Sequence, residues 1–210
     1  MVGTEAEAAV VIESSVPSLV AASVAAVAMV AAAEVEVIKT TQSKLTNLEI
    51  QTSFCWYMLP KLEQEIKNLH NLVGNAVVEG RHIVVGNGSS QLIQAALYAL
   101  AEPLDPPSPI SVVSATPFYS IADYMRSGLF KWGGDAHAYN DYKAYIEMVT
   151  SPNNPDGELR GPVLKRANCM LVHDLAYYWP QYTAITKPAD QNIMLFTISK
   201  CTGHAGSRIG

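Results

Sequence analysis

The stretch "CMLVHDLAYYWP" (residues 169–180) runs from apolar side chains to a carboxylate and then to a cluster of aromatic residues. A short apolar run bounded in this way is typical of a buried β-strand. Asp174 ends the run, which is a poor place for a carboxylate unless it has a cationic partner. Tyr177 follows three residues later, so its hydroxyl is expected to point into the same site.

Other apolar runs of similar length are separated by segments with helical periodicity. The helix predicted over 59–74 places apolar residues on one face, begins with Pro60 in its first turn and stops at Gly74. A second helix is predicted over 91–101, and a third from near Pro117. The remaining predicted strands are "HIVVG" (82–86), "ISVVSA" (110–115), "YIEMVTS" (145–151) and "IMLFTIS" (193–199). This alternation predicts an α/β fold with a mostly parallel sheet.

Composition restricts the class of protein. The chain has 210 residues, of which 49% are hydrophobic and 16% charged, which indicates globular material. A net charge of −5 gives no basic footprint for nucleic acid. Three cysteines without paired spacing suggest neither a disulfide framework nor a zinc site, so a reducing, cytoplasmic compartment is expected.

Residues 1–50 differ from the rest, and we predict that they form an alanine-rich, low-complexity leader. Its centre, "SLVAASVAAVAMVAAA" (18–33), is flanked by glutamates and lacks the positive start of a signal peptide. Alanine contributes little to membrane insertion, so no membrane association is expected. A weak membrane anchor is the alternative interpretation of 18–33.

Ligands of parallel sheets lie beyond the carboxyl ends of the strands, and polar or aromatic clusters follow each predicted strand here. "GNGSSQ" (86–91) is a candidate anion cradle with Ser89 and Ser90 at a helix start; the alternative is a plain turn capped by a serine. In "ATPFYS" (115–120), Tyr119 is the better candidate than Phe118 for stacking on a planar ring, although either is compatible with the core.

Two further clusters complete the constellation. "SPNNPDG" (151–157) is rich in turn formers, yet Asn154 before Pro155 is also a constrained amide donor. Lys200 follows the last strand and offers a nucleophile for aldehydes, while Arg208 offers a bidentate grip on phosphate. Taken singly, both cations are compatible with a solvated surface.

One ligand requires all these parts together. Pyridoxal 5′-phosphate (PLP) has an aldehyde for a lysine, a ring nitrogen for a carboxylate, and a phenolic oxygen for amide and hydroxyl donors. It also has a flat ring for an aromatic side chain and a phosphate for a glycine turn, hydroxyls and an arginine. A carboxylate at the ring nitrogen makes this cofactor an electron sink. We therefore predict a PLP site.

Longer motifs carry a specific resemblance. The chain closely resembles the plant alliinase and tryptophan aminotransferase family of fold-type I PLP enzymes over roughly residues 54–210. The segments that match are "IVVGNGSSQL" (83–92), "SGLFKWGGDA" (127–136), "SPNNPDG" (151–157), "DLAYYWPQYT" (174–183) and "SKCTGHAGSRIG" (199–210).

The resemblance implies a role for each candidate residue. Lys200 would bond to the cofactor aldehyde and later move a proton between the substrate Cα and the cofactor C4′. Asp174 would pair with the ring nitrogen, and Tyr119 would stack on the ring. The phenolic oxygen would be reached by Asn154 and Tyr177, and the phosphate would be held by Ser89, Ser90, Ser199 and Arg208.

The same resemblance implies a three-layer large domain over 51–210, which we expect to be partial, with the family's small C-terminal domain absent. The expected activity is transfer of an amino group from an amino acid to a 2-oxo acid, with tryptophan giving indole-3-pyruvate, as in auxin synthesis. A carbon–sulfur lyase acting on cysteine sulfoxides is the first alternative. A non-catalytic, truncated remnant that binds PLP or dimerises with a longer relative is the second. If the chain folds, a homodimer is expected.

Overall fold

The computed structural model describes residues 58–101, 108–119, 127–207 and 209–210. The predicted leader over 1–50, including 18–33, lies outside the described residues, and so does Arg208. Most of the helix expected from near Pro117 falls on 120–126, which is also outside them.

Helix α1 spans Pro60–Val73, as its apolar periodicity and first-turn proline predict. It ends at Gly74, whose φ of 71° is left-handed and whose N–H donates to the His70 carbonyl at 2.8 Å. Helix α2 spans Ser89–Leu100. Its N-cap is Gly88, without a side-chain capping bond, so both serines lie inside the first turn and neither is the cap that the simple-turn interpretation required.

Five strands form one parallel sheet in the order β2-β1-β3-β4-β5. They are β1 (Ile110–Ser114), β2 (Phe130–Asp135), β3 (Tyr145–Thr150), β4 (Cys169–Asp174) and β5 (Met194–Leu195). Strands β1, β3 and β4 lie where they were predicted, and every pairing among the described strands is parallel. The predicted α/β class with a parallel sheet is confirmed.

Strand β2 was missed because its sequence, "FKWGGD", is a poor strand former. Two glycines weaken intrinsic strand preference. Packing explains one of them: a Cβ added at Gly133 would lie 2.9 Å from a Val113 methyl and 3.0 Å from the Ser111 Cβ. The other, Gly134, has a φ of 94° and follows a register shift in the pairing with β1.

The prediction of a strand over 82–86 is wrong. A strand requires a hydrogen-bonded ladder with a neighbour. Within the described part of the chain, this segment pairs only at its end, where Gly86 and Gly210 exchange backbone bonds of 3.0 and 3.3 Å. An apolar sequence alone therefore did not produce a strand.

The last predicted strand is also shorter than expected. Only Met194–Leu195 pair with β4, and the chain then turns into a short helix, α3 (Ile198–Cys201). Ser199 and Lys200 therefore belong to a helical turn and not to the end of a long strand. Thr197 causes the switch, since its side-chain oxygen accepts the Ser199 N–H and caps the helix.

Both faces of the sheet are covered. Apolar side chains of α2 pack on one face against residues such as Val112, Met148 and Val172. Val113 and Tyr145 point to the other face, where they pack with Ala136 and with partly buried side chains around Leu164. No helix within the described ranges is long and apolar enough to cross a bilayer.

Candidate active site

A cavity of about 220 Å³ lies beyond the carboxyl ends of the strands. It is lined by Ser89, Ser90, Ile93, Tyr119, Thr150, Asn154, Asp174, Ala176, Tyr177, Thr197, Ser199, Lys200 and Ala205. Eight of the nine residues predicted to hold a ligand therefore line one cavity, and the ninth, Arg208, lies outside the described residues.

Asp174 lines this cavity from the last position of β4 and is 7% exposed. Its Oδ1 accepts the Ala176 N–H at 3.1 Å. No lysine, arginine or histidine forms an ion pair with it among the residues that the structure describes. Burial raises the pKa of Asp174, and the single backbone hydrogen bond opposes that effect only in part. Within the described part of the chain, the carboxylate thus has no cationic partner, although its buried position favours one.

Lys200 approaches the cavity from α3. Its Nζ lies 5.2 Å from the centroid of the Tyr177 ring, within the range of a cation–π interaction. Thr197 fixes this turn on two sides, because its hydroxyl accepts the Ser199 N–H at 3.2 Å and donates to the Ile209 carbonyl at 3.0 Å. The lysine is therefore carried on a capped turn.

Tyr177 is held by its own neighbourhood. Its ring packs edge-on against Tyr182, with the centroids 4.9 Å apart. The following residue is anchored twice, since the Tyr178 hydroxyl donates to the Lys187 carbonyl and its backbone carbonyl accepts the Asn75 side chain. The loop after β4 is thus anchored directly after the cavity-lining tyrosine.

In two pairs of neighbouring, chemically similar residues, the structure places only one member at the cavity. Phe118 packs on the Trp132 ring at 4.8 Å, whereas Tyr119 lines the cavity and is 49% exposed. Asn153 is 4% exposed, and its side-chain amide donates hydrogen bonds to the Pro117 carbonyl and to the Asp156 carboxylate, whereas Asn154 lines the cavity. In both pairs, the residue selected from the sequence is the one at the cavity.

Ser89 and Ser90 bring the first turn of α2 to the cavity. Backbone N–H groups of a first helical turn have no intrahelical acceptor, so the turn favours an anion. The preceding Gly88 has a φ of 77°, and its N–H donates to the Gly86 carbonyl at 2.8 Å. This tight turn places the serines next to the cavity.

Two polar lining residues were not selected from the sequence: Thr150 and Thr197. Thr150 is the last residue of β3, so the strand-end rule that selected Asp174 also applied to it. Thr197 stands three residues before Lys200, in the position of a helix cap, but the apolar run around it was read as a continuous strand.

The cavity combines an amine, a buried carboxylate without an ion pair among the described residues, an amide, phenols and hydroxyls at a helix start. Among the described residues, no group of three or more histidine, cysteine or acidic side chains is arranged to hold a metal ion. An amine and a carboxylate in one cavity suit a ligand that carries both an electrophilic carbon and a basic nitrogen.

Comparison with known proteins gives concordant results. Tryptophan aminotransferase-related protein 2 of Arabidopsis thaliana is 59% identical over 170 residues, which cover 79% of this chain and 38% of that protein. Tryptophan aminotransferase-related protein 1 of Oryza sativa subsp. japonica is 56% identical, covering 75% and 36%. Alliin lyase 1 of Allium sativum is 45% identical, covering 71% and 32%. The chain thus spans about a third of the length of these relatives.

Among solved structures, a Methanococcus jannaschii protein, described as similar in its active site to kynurenine aminotransferases, matches with a TM-score of 0.50. The sequences are 20% identical, and the match covers 73% of this chain and 45% of that one, which shows a shared fold. A family model described as "Allinase" matches residues 11–210, beginning earlier than the motifs that carry the resemblance. The chain therefore belongs to the Allinase family.

Proposed function

We propose that this chain binds PLP in the described cavity and acts as an aminotransferase, with tryptophan as amino donor and a 2-oxo acid as acceptor. The observation that carries the proposal is the buried Asp174 carboxylate, which has no cationic partner in the described part of the chain and lines the same cavity as Lys200. A protonated ring nitrogen would supply the missing positive charge.

The other lining groups match the remaining parts of the cofactor. Lys200 would hold the aldehyde carbon, and Asn154 and Tyr177 would donate hydrogen bonds to the phenolic oxygen. Tyr119 would cover the ring face. The phosphate would be bound by the N–H groups and hydroxyls of the α2 start, by Ser199 and by Arg208. These assignments follow the family resemblance, and the shared cavity supports them for every residue except Arg208.

When bound, PLP supplies an electron sink that stabilises negative charge at the substrate Cα. Asp174 would keep the ring nitrogen protonated, and burial strengthens this pairing because little water screens it. Lys200 would take the proton from the substrate Cα and deliver it to the cofactor C4′. Its position on a capped turn next to Tyr177 would limit the directions in which Nζ moves.

The choice of tryptophan rests on the relatives. The two named for tryptophan aminotransferase are 59% and 56% identical to the chain, whereas the alliin lyase is 45% identical. A carbon–sulfur lyase, in which a β substituent leaves instead of a proton being delivered to C4′, remains the second candidate, because the match to the alliin lyase also covers 71% of the chain. Both activities use the same lysine and carboxylate.

The first experiment is cofactor trapping on the purified 210-residue chain. PLP is added, the visible absorbance is recorded, and borohydride is used to make any bond to lysine permanent. Lys200→Ala should abolish the covalent adduct, while Lys165→Ala, which removes an exposed lysine outside the cavity, should leave it intact. No adduct in the unaltered chain, or an adduct that persists in Lys200→Ala, would refute the proposal.

Substrate assays then separate the activities. Indole-3-pyruvate formation from tryptophan plus pyruvate identifies the aminotransferase, and pyruvate release from an alkyl cysteine sulfoxide identifies the lyase. Trapping at Lys200 without either product identifies a non-catalytic PLP-binding protein.

A further inference from the structure

One arginine outside the cavity lining joins two of the loops that form the cavity. Arg160 lies in the loop after β3, and its own N–H donates to the Ser151 hydroxyl at 3.0 Å. Its guanidinium forms an ion pair with Asp156 of the same loop. The Glu158 carboxylate lies 3.8 Å from Nη2 of Arg160, the nitrogen that also pairs with Asp156. The arginine is therefore fixed within the loop that carries Asn154.

The same guanidinium also reaches the loop after β1. Nη1 of Arg160 donates to the Pro117 carbonyl at 2.8 Å and to the Ala115 carbonyl at 3.2 Å. The Pro117 carbonyl additionally accepts the Asn153 amide at 2.9 Å. Two residues beyond Pro117 stands Tyr119, which lines the cavity. The guanidinium thus connects the loop of Asn154 to the loop of Tyr119.

The ionised form of Asp156, the acidic partner of Arg160, is also favoured. Hydrogen bonds from the Asn153 amide and the Glu158 N–H, together with the Arg160 charge, hold the pKa of Asp156 below its usual range. The carboxylate therefore stays ionised at neutral pH and orients the guanidinium towards the two carbonyls. We call Asn153, Asp156 and Arg160 the loop clamp.

We propose that the loop clamp is a positioning device for the cofactor ring, with Arg160 as its central residue. The inference rests on the proposed function: Tyr119 would cover the ring, and Asn154 would donate to its phenolic oxygen. Because the clamp fixes the two loops to each other, it sets the separation of these two side chains before the cofactor arrives. Such preorganisation lowers the ordering cost of binding.

Arginine is suited to this task in a way that lysine is not. A planar guanidinium donates to the two carbonyls and the carboxylate simultaneously and in fixed directions, whereas an ammonium is a compact charge on a flexible stem. Arg160→Lys should therefore keep the ion pair with Asp156 but only part of the connection between the two loops. Arg160→Gln should remove both the charge and the fork of donors.

The test compares PLP binding with folding in the full chain. Arg166→Gln is the matched control, because Arg166 also donates to two backbone carbonyls, those of Asp141 and Tyr139, at 2.7 and 3.2 Å, away from the cavity lining. We expect Arg160→Gln to weaken PLP binding about 10-fold, equivalent to ~1.4 kcal/mol. We expect Arg160→Lys to fall between this variant and the unaltered chain, and Arg166→Gln to bind normally.

Two readouts distinguish positioning from general stability. The visible circular dichroism of bound PLP should change in Arg160→Gln but not in Arg166→Gln, even where the two melt at the same temperature. Hydrogen exchange of the segment 115–119 should rise in the cofactor-free Arg160→Gln chain. If Arg160→Gln does not fold, the same comparison is made with Arg160→Lys.

The outcomes separate the two proposals. If the unaltered chain traps PLP at Lys200 and the Arg160 variants bind it with unchanged affinity and dichroism, the clamp has no positioning role and only this inference fails. If the unaltered chain traps no PLP, the proposed function fails and this inference fails with it.

Discussion

Replacing Asp174 by asparagine should stabilise the cofactor-free chain and weaken cofactor binding. The carboxylate is 7% exposed, and among the described residues its hydrogen-bond donor is the Ala176 N–H at 3.1 Å. Asparagine keeps an oxygen acceptor for that N–H while it removes the charge. The cost of burying an unpaired charge then disappears.

The magnitude follows from two opposing effects. Relief of an uncompensated buried charge contributes several kcal/mol, and the hydrogen bond from Ala176 weakens because bonds to charged acceptors contribute about 1.5–3 kcal/mol and neutral ones about 1 kcal/mol. We expect a net gain of roughly 1–2 kcal/mol at neutral pH, which corresponds to about 2–8 °C in Tm for a chain of this size. In the opposite direction, loss of the charged bond to the ring nitrogen should weaken PLP binding about 10- to 100-fold.

The pH dependence has a defined sign. Burial raises the pKa of Asp174 above its ordinary value of 3.8, so the folded chain holds a proton at pH values where the unfolded chain has lost it. The contribution of Asp174 to stability is therefore complete below pH 3.8 and is lost as the pH rises through the folded-state pKa. The advantage of the asparagine variant should be absent near pH 4 and should grow towards neutral pH.

Thermal melts from pH 4 to 7.5, with and without PLP, measure both effects. Asp141→Asn is the matched control, since Asp141 also accepts the N–H two residues ahead, from Lys143 at 3.1 Å, but is exposed. It should change neither Tm nor PLP affinity appreciably. If Asp174→Asn lowers the Tm of the cofactor-free chain at pH 7, the carboxylate is not an uncompensated charge, and the reasoning is refuted.

Two further predictions concern aromatic side chains. Tyr119→Ala should weaken PLP binding about 2- to 10-fold, because stacking contributes about 0.5–1.5 kcal/mol, and Tyr119→Phe should not weaken it. Since the residue is 49% exposed, the Tm should be unchanged in both variants. An unchanged PLP affinity in the alanine variant would exclude a stacking role. Burial lowers the pKa of His70, which stacks on Trp179 at 5.4 Å, below its ordinary 6.5, so stability should fall as the pH drops below 6.5. In His70→Gln, the fall of Tm with decreasing pH below 6.5 should be less steep. The remaining fall would come from groups such as His173, whose pKa burial also lowers. An unchanged slope would show that His70 does not cause the loss of stability in acid.

Much of the fold could be predicted because its signals are local. Helix α1 carries its own start, periodicity and stop, and the buried strands β1, β3 and β4 read as short apolar runs. The errors fall where partners decide the structure. Residues 82–86 are as apolar as a strand, but within the described part of the chain they pair only through Gly86. Strand β2 is rich in glycine, yet it pairs with β1, whose Val113 and Ser111 side chains lie close to Gly133.

The candidate site was accessible from the sequence for a different reason. In a parallel sheet, the strand ends meet at one edge whatever the strand order, so polar residues after apolar runs are expected to converge. Asn154 and Asp174 follow this rule. Thr197 could not be selected by this rule, because the change from strand to helix depends on a cap that its hydroxyl forms with the Ser199 N–H. Arg160 was not visible either, since its partners are backbone carbonyls of another loop.

The sheet order explains how residues distant in the chain come to share a cavity. β1, β3, β4 and β5 are consecutive neighbours, so Tyr119, Asn154, Asp174 and Lys200 each follow or end one of four adjacent strands. The loop clamp fixes the first two of these positions to each other, and the Thr197 cap fixes the turn of the last. Asp174 is buried and forms no ion pair among the described residues, so we expect it to cost stability in the cofactor-free chain. A ligand bound only by the folded state offsets such a cost by about 2.7 kcal/mol at a concentration 100 times its Kd. If Asp174 weakens the empty fold and strengthens the occupied one, as we predict, a binding role accounts for both effects, whereas a purely structural role accounts for neither.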